Sequence, residues 1–285
     1  MRFEGEPDYS NVEDRRGRGG GRGVRLGLGG FIVVAVASVA FGRNFFRDLG
    51  VDQRPSHTSG IQGGPAGNAG ARSAQEKDLE RVAVGAFNDA ERYWSSALTT
   101  PAYRKSTLVL FWDGTRSACG DASAASGPFY CPGDEKVYID FSFYRELAAR
   151  FKAPGDFAQA YVMAHELGHH VQHVLGTEAK MRSAQRRAPG EKNALSVRLE
   201  LQADCYAGLW GHHAAKRKLL DAGDLDEALR AAAAIGDDRL QKAARGTAKP
   251  ETFTHGTSAQ RARWFRRGFD STKLEACDTF SAVEL

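Results

Sequence analysis

The sequence predicts an α+β fold, and three observations carry that prediction. Apolar residues recur at helical spacing from Leu79 to Trp94, two β-type runs follow at 107–112 and 136–140, and almost everything after Phe143 has helical patterning. A small sheet followed by a helical bundle is the layer arrangement those runs imply. The chain has 285 residues, 42% hydrophobic and 26% charged, enough to bury the core of one large domain or two modest ones. Its formal net charge is only +4, which gives no reason to expect nucleic acid as a partner.

The elements follow in order. Residues 1–24 are charged and glycine-rich, with five arginines between Arg15 and Arg25, and read as a disordered cytoplasmic tail. Residues 25–43 contain LGLGGFIVVAVASVAFG, an uncharged stretch near the lower limit of the roughly 17 to 25 residues a membrane span needs. The arginines before it favour a cytoplasmic N-terminus, so the expectation is a single transmembrane helix with the remainder exported. A signal peptide cleaved after Ala37 or Ala40 is the alternative; it would release the rest as a secreted protein. Residues 44–75, rich in Gly, Ala, Ser and Gln, read as a flexible linker, and residues 76–285 as the folded domain.

Within that domain, Leu79, Val82, Ala83, Ala86, Phe87, Ala90 and Trp94 define an amphipathic opening helix. The run Lys136–Asp140 reads either as an edge strand able to pair with an extended peptide or as a core strand. A Gly/Ser/Ala-rich loop between the two β-type runs holds Cys119 and Cys131, close enough to suit a disulfide in an oxidising compartment. Cys205 would then pair with Cys277, although four cysteines allow three connectivities. A long helix follows, with Asp156 as its expected N-cap, Gln159 as the box partner and Gly176 as its stop.

On that helix, His165-Glu166-Leu167-Gly168-His169 fits H-E-x-x-H. Residues four apart share a helix face, so both imidazoles can reach one zinc ion, with Glu166 placed to take a proton from water. Zinc then needs a third protein ligand. The metzincin completion fails, because Gln172 and Leu175 stand where it needs glycine and histidine. His173 would lie about 12 Å along the helix axis from His165 and cannot join the same tetrahedron. His170 points to another face and reads as supporting or structural, as do His212 and His213.

Downstream, Glu200 and Asp204 stand four apart in a helix expected to be capped near Asn193 and flanked by Val197, Leu201, Ala203, Tyr206 and Ala207. Carboxylates on a mostly buried helix need partners. Glu200 is therefore the expected third ligand and Asp204 the acceptor for a ligand histidine's N–H. His255 is the candidate oxyanion donor, in the loop before a helix capped by Thr257 with Gln260, and Arg261 follows as a possible support for substrate. The alternative is a surface loop histidine and a packing arginine.

The segments AYVMAHELGHHVQ, RLELQADCYAGLW and FTHGTSAQRARWF, with YCPGDEKVYID and the late ACDTF, resemble the bacterial neutral zinc metallopeptidase family of membrane-anchored proteins. H-E-x-x-H with a downstream E-x-x-x-D is also similar to the gluzincins, and the His255-to-Arg261 spacing to the HtpX-type membrane peptidases among them. The resemblance implies a zincin-like fold, a bound Zn(2+), a peptide or protein substrate, and Glu166 as general base. Two rival readings stand beside it: a zinc-containing binding or scaffold module without turnover, and a zinc hydrolase of a non-peptide amide. A glutamate between the two histidines argues against the first, because a structural zinc site has no use for one.

Overall fold

A computed structural model describes residues 1–3, 6–16, 73–112, 114–123, 127–149 and 155–285. Its main sheet has four strands: β1 (Val12–Asp14), β2 (Thr107–Phe111), β6 (Lys136–Asp140) and β5 (Phe129–Cys131), in the spatial order β1-β2-β6-β5. The first three are parallel, with Val12 beside Leu108 and Leu108 beside Val137, and β5 closes the sheet antiparallel to β6. Strands covered on both faces read as unbroken apolar runs. Leu108, Val109 and Leu110 are fully buried, as are Val137 and Ile139. A separate hairpin, β3 (Gly114–Ser117) with β4 (Gly120–Ser123), is joined to β5 by the Cys119–Cys131 disulfide. Because β6 pairs on both sides, Lys136–Asp140 is a core strand and has no free edge for a peptide.

Strand β1 corrects the expected disorder of the described part of residues 1–24. Within residues 1–24, the described part belongs to the folded domain. Arg16 forms a buried ion pair with Glu80 at 2.9 Å, Lys136 reaches Glu13 at 2.8 Å, and the Asn88 side chain donates to the carbonyl of Asp8 at 2.8 Å. Among the described residues, Arg15 pairs with Glu13 and Arg16 with Asp14 and Glu80. Val12–Asp14 pair with Leu108–Leu110, so the described part of residues 1–24 is ordered against the sheet. The expected anchor at 25–43 and most of the linker at 44–75 lie outside the described residues. Among the described residues no helix is long and apolar enough to cross a membrane.

The helices pack against one face of the sheet and on one another, while the other face meets Ala122 of the hairpin. Helix α1 (Ala74–Ala97) starts behind Ser73, whose hydroxyl accepts from the Glu76 N–H while Glu76 reaches back to the Ser73 N–H. After α2 (Phe141–Ala149) comes α3 (Asp156–Val174), the helix of the H-E-x-x-H segment. Its N-cap is Gly155, with Asp156 as first helical residue, so the expected Asp156 cap is displaced by one position; the Asp156 carboxylate instead accepts from the Met1 ammonium. Helix α4 (Thr177–Arg187) leads to α5 (Lys192–Lys216), which starts behind Glu191. Asn193 lies inside α5 and donates to the Glu251 carbonyl rather than capping. Two short helices, α6 (Asp224–Ala234) and α7 (Asp237–Arg245), precede α8 (Ser258–Phe269). Thr257 and Gln260 form the expected capping box at the start of α8.

Two close approaches bring α3, α5 and α8 together. A Cβ on Gly168 of α3 would meet the backbone oxygen of Ala203 on α5 at 3.0 Å. A Cβ on Gly268 of α8 would meet the Cys205 backbone oxygen at 1.9 Å, which no side chain can accept. The Cys205–Cys277 disulfide ties the C-terminal segment to the same face of α5.

Candidate metal centre

Helix spacing places His165 and His169 on one face of α3, and the Gly168 contact lets Glu200 of α5 approach both. His165 Nε2 lies 3.3 Å from Glu200 Oε2, and His169 Nε2 lies 3.5 Å from Glu200 Oε1. One ligand atom from each of the three residues falls within 4.8 Å of the others. Each His–Glu distance is close to the roughly 3.4 Å edge of a tetrahedron built on metal–ligand bonds of about 2.0 to 2.1 Å. The donor set, two imidazole nitrogens and one carboxylate, suits zinc and leaves a fourth position open.

The reverse sides of the rings are equally defined. His165 Nδ1 lies 2.8 Å from Asp204 Oδ1, so its N–H is spent on Asp204 and Nε2 carries the lone pair. Asp204 is fully buried and is held by both Nε and Nη2 of Arg261 at 2.9 Å, while Tyr161 donates its hydroxyl at 2.5 Å. His169 Nδ1 lies 2.9 Å from Gln172 Oε1. Both rings thus turn Nε2 toward Glu200.

The electrostatics point the same way. Burial opposes protonation of His169, yet the Glu200 carboxylate outweighs it and lifts its pKa to about 9. His165 is raised too, by Asp204 against burial. Burial would push the Glu200 carboxyl up, but His255 and His169 hold it well below the usual range. The cluster favours positive charge between its nitrogen and oxygen atoms, as a cation site does.

Glu166, the residue after His165, is buried on α3 and acts electrostatically on His169 without being one of the three converging groups. His255 lies in the loop before α8 and interacts electrostatically with Glu200. Its loop is shaped by Asp237, whose Oδ2 accepts from the backbone N–H of Thr254, His255 and Gly256 at 2.7, 2.6 and 3.1 Å. Asp237 Oδ1 lies 3.2 Å from His255 Nδ1.

Arg261 lies behind the three converging residues, on Asp204. The residue is buried, and Nη1 donates to the Ile235 carbonyl while the other nitrogens hold Asp204 and Tyr161. Two of its nitrogens are held on Asp204, so in this structure it reaches the metal centre through that carboxylate. His173 pairs with Glu178 and Glu135, away from the three converging residues. His170 joins the Tyr130 hydroxyl and the Arg104 carbonyl, His212 meets the Phe269 carbonyl, and His213 packs on Tyr93.

Sequence reasoning missed Tyr161, Gln202 and Asp237, and used Gln172 only to exclude a subclass. Tyr161 stands four residues before His165 on the same helix face, a spacing that could have found it. An acid in the first turn of α7 reads as an ordinary helix start, which hid Asp237.

A family model described as "putative neutral zinc metallopeptidase" matches residues 1–280. The chain is similar to the uncharacterized protein YpfJ of Escherichia coli (strain K12), at 44% identity over 293 residues, covering 98% of this chain and 99% of that protein. It is also similar to the uncharacterized protein Rv2575 of Mycobacterium tuberculosis (strain H37Rv), at 42% identity over 215 residues, covering 72% of this chain and 71% of that protein. No solved structure matches the chain.

Proposed function

The chain belongs to the neutral zinc metallopeptidase family, and on that premise we propose that it is a zincin-like endopeptidase whose Zn(2+) is held by His165, His169 and Glu200. The observation that carries the assignment is the convergence of both Nε2 atoms on Glu200, with each Nδ1 already engaged behind its ring. Zinc, when bound, supplies Lewis-acid polarisation of the peptide carbonyl and acidifies water. Glu166 accepts the proton of the attacking water and delivers it to the leaving amine as the C–N bond breaks and the new C–O bond forms. His255, in the loop held by Asp237, supports the developing oxyanion.

Metal analysis of the full chain beside a Glu166→Gln variant, both assayed on a broad peptide library, tests the proposal. Near-stoichiometric zinc is expected in both proteins, with cleavage reduced by about 10²- to 10⁴-fold in the variant. Zinc without cleavage in either protein would favour the binding module, and absence of zinc would overturn the assignment altogether. Glu200→Ala should lose zinc while His173→Ala retains it; the reverse would show that the third ligand is wrong.

The two disulfides suit an oxidising compartment outside the cytoplasm, and the apolar stretch at 25–43 suits membrane attachment from that same side. Ser10 and Ser95 are exposed, one in the N-terminal segment and the other on α1. With a membrane-impermeant thiol reagent, Ser10→Cys and Ser95→Cys should both label on intact cells. Labelling of one alone would mean the two regions lie on opposite sides, and labelling of neither would place the domain in the cytoplasm.

A further inference from the structure

Behind His169 runs a chain of uncharged groups whose direction is fixed by the backbone. Gln172 is fully buried, and its Nε2 donates to the Leu199 carbonyl at 2.7 Å and to Gln202 Oε1 at 3.1 Å. A main-chain carbonyl can only accept, so the Gln172 amide cannot be turned around. Its Oε1 therefore faces His169 Nδ1 at 2.9 Å and must accept from it. The same reasoning holds one step further out. Gln202 is buried and donates from Nε2 to the Cys277 carbonyl at 3.0 Å, which leaves its Oε1 for Gln172. Every donor in the series points away from the metal centre: His169 to Gln172, Gln172 to Gln202, Gln202 to Cys277. The last acceptor is held by the disulfide from Cys277 to Cys205, and Cys205 lies one turn beyond Gln202 on α5.

We propose that Gln172, Gln202 and the Cys205–Cys277 disulfide form a positioning relay that keeps His169 in the Nδ1–H tautomer, with Nε2 free for zinc, so that cutting the disulfide weakens metal binding. The proposal rests on the reading of His165, His169 and Glu200 as the ligand set. None of the relay residues touches the metal or the substrate. Gln202 acts on zinc through two intervening side chains, and the disulfide acts through Gln202. Arg198 independently holds the segment beyond Cys277, donating to the carbonyls of Thr279 and Ala282. A chain lacking the disulfide therefore keeps its C-terminal segment docked, while the Cys277 carbonyl loses its covalent tether to α5 and is held only by Gln202 and the Thr279 N–H.

The test measures zinc affinity by competition with a chromophoric chelator, together with the visible spectrum of the cobalt-substituted protein, on four full-length proteins. These are the wild type, Gln202→Met, Cys205→Ser with Cys277→Ser, and the triple variant. Gln202→Met should lower zinc affinity about 10- to 100-fold, the range typical for losing a group behind a ligand histidine, and should change the cobalt spectrum. The double serine variant should lose affinity by a smaller factor. The triple variant should bind no worse than Gln202→Met alone, because both lesions act through one relay. Losses that multiply, or wild-type affinity in Gln202→Met, would overturn the relay. Thermal denaturation of the zinc-free proteins checks folding. Should Gln202→Met not fold, the double serine variant decides, and unchanged affinity there overturns the proposal. A wild type that binds no zinc would instead remove the ligand assignment itself.

Discussion

His165 and His169 stand one helical turn apart on α3, yet the protein holds them from behind by opposite means. Behind His165 lies a buried charged cluster: Asp204, gripped by both Nε and Nη2 of Arg261 and by the Tyr161 hydroxyl. Behind His169 lies a neutral series of amides that ends at a backbone carbonyl. Both arrangements leave Nε2 free, so the same tautomer is reached by two routes. The routes differ in what a lesion does. Removing one charge from a buried pair strands the other, whereas removing one amide strands only neutral donors and acceptors. The His165 side should therefore decide whether the domain folds, and the His169 side how tightly it binds metal.

The largest expected effect comes from breaking the charged side. Arg261→Met leaves Asp204, fully buried, with only His165 and Tyr161 as partners. The zinc-free protein should lose about 3 to 5 kcal/mol in urea unfolding. Adding Asp204→Asn removes the stranded charge while keeping an acceptor for His165, and should recover more than half of that loss. A cost below about 1 kcal/mol for Arg261→Met, or no recovery in the double variant, would remove the basis of the comparison.

A third buried carboxylate sharpens it. Glu91 on α1 accepts from the Tyr103 hydroxyl at 2.7 Å and from the Ser106 N–H at 3.0 Å, both neutral donors. Asp204 is held below the usual carboxylate range by Arg261 and His165 against the pull of burial. For Glu91 burial wins, and its pKa rises to about 7 from 4.5. A group whose folded pKa is raised contributes stability that is fully present below pH 4.5 and lost as pH climbs to 7. The 2.5-unit difference corresponds to roughly 3 kcal/mol. Urea unfolding of the zinc-free wild type should weaken by about that much across this window relative to Glu91→Gln. Parallel pH curves for the two proteins would show that Glu91 is not held neutral.

The same contrast explains what could be read from the sequence. His165, His169, Glu200 and Asp204 were legible because each pair repeats at four residues on a helix, and because carboxylates flanked by Val197, Leu201 and Ala203 must find partners. The neutral relay was not. No spacing rule links Gln172 to Gln202, and a buried glutamine looks like any other polar residue until its carbonyl acceptors are placed. The pairing of Arg261 with Asp204 was not legible either, since 57 residues separate them in sequence. The mixed sheet-and-helix class followed from periodicity alone. Strand β1 did not, because Val12 is its only apolar residue and the charges around it read as solvated until Glu13 meets Lys136 and Arg16 meets Glu80.

The smallest expected effect on stability is on the neutral side. Gln172→Met keeps the side-chain volume but removes the partners of the His169 Nδ1–H and of Gln202 Oε1, while the Leu199 carbonyl keeps its partner within α5. Each lost partner leaves a desolvated group, but water or small shifts can satisfy some of them, so the zinc-free protein should lose about 1 to 3 kcal/mol. That is less than Arg261→Met. Zinc affinity should move the other way in rank, falling by about 10- to 100-fold as His169 loses the acceptor that fixes its tautomer. The pair of numbers, from urea unfolding and from chelator competition on one preparation, separates the two kinds of support. If Gln172→Met destabilises the domain as much as Arg261→Met while leaving zinc affinity intact, the neutral groups behind His169 serve packing alone, and the division of labour between the two histidines fails.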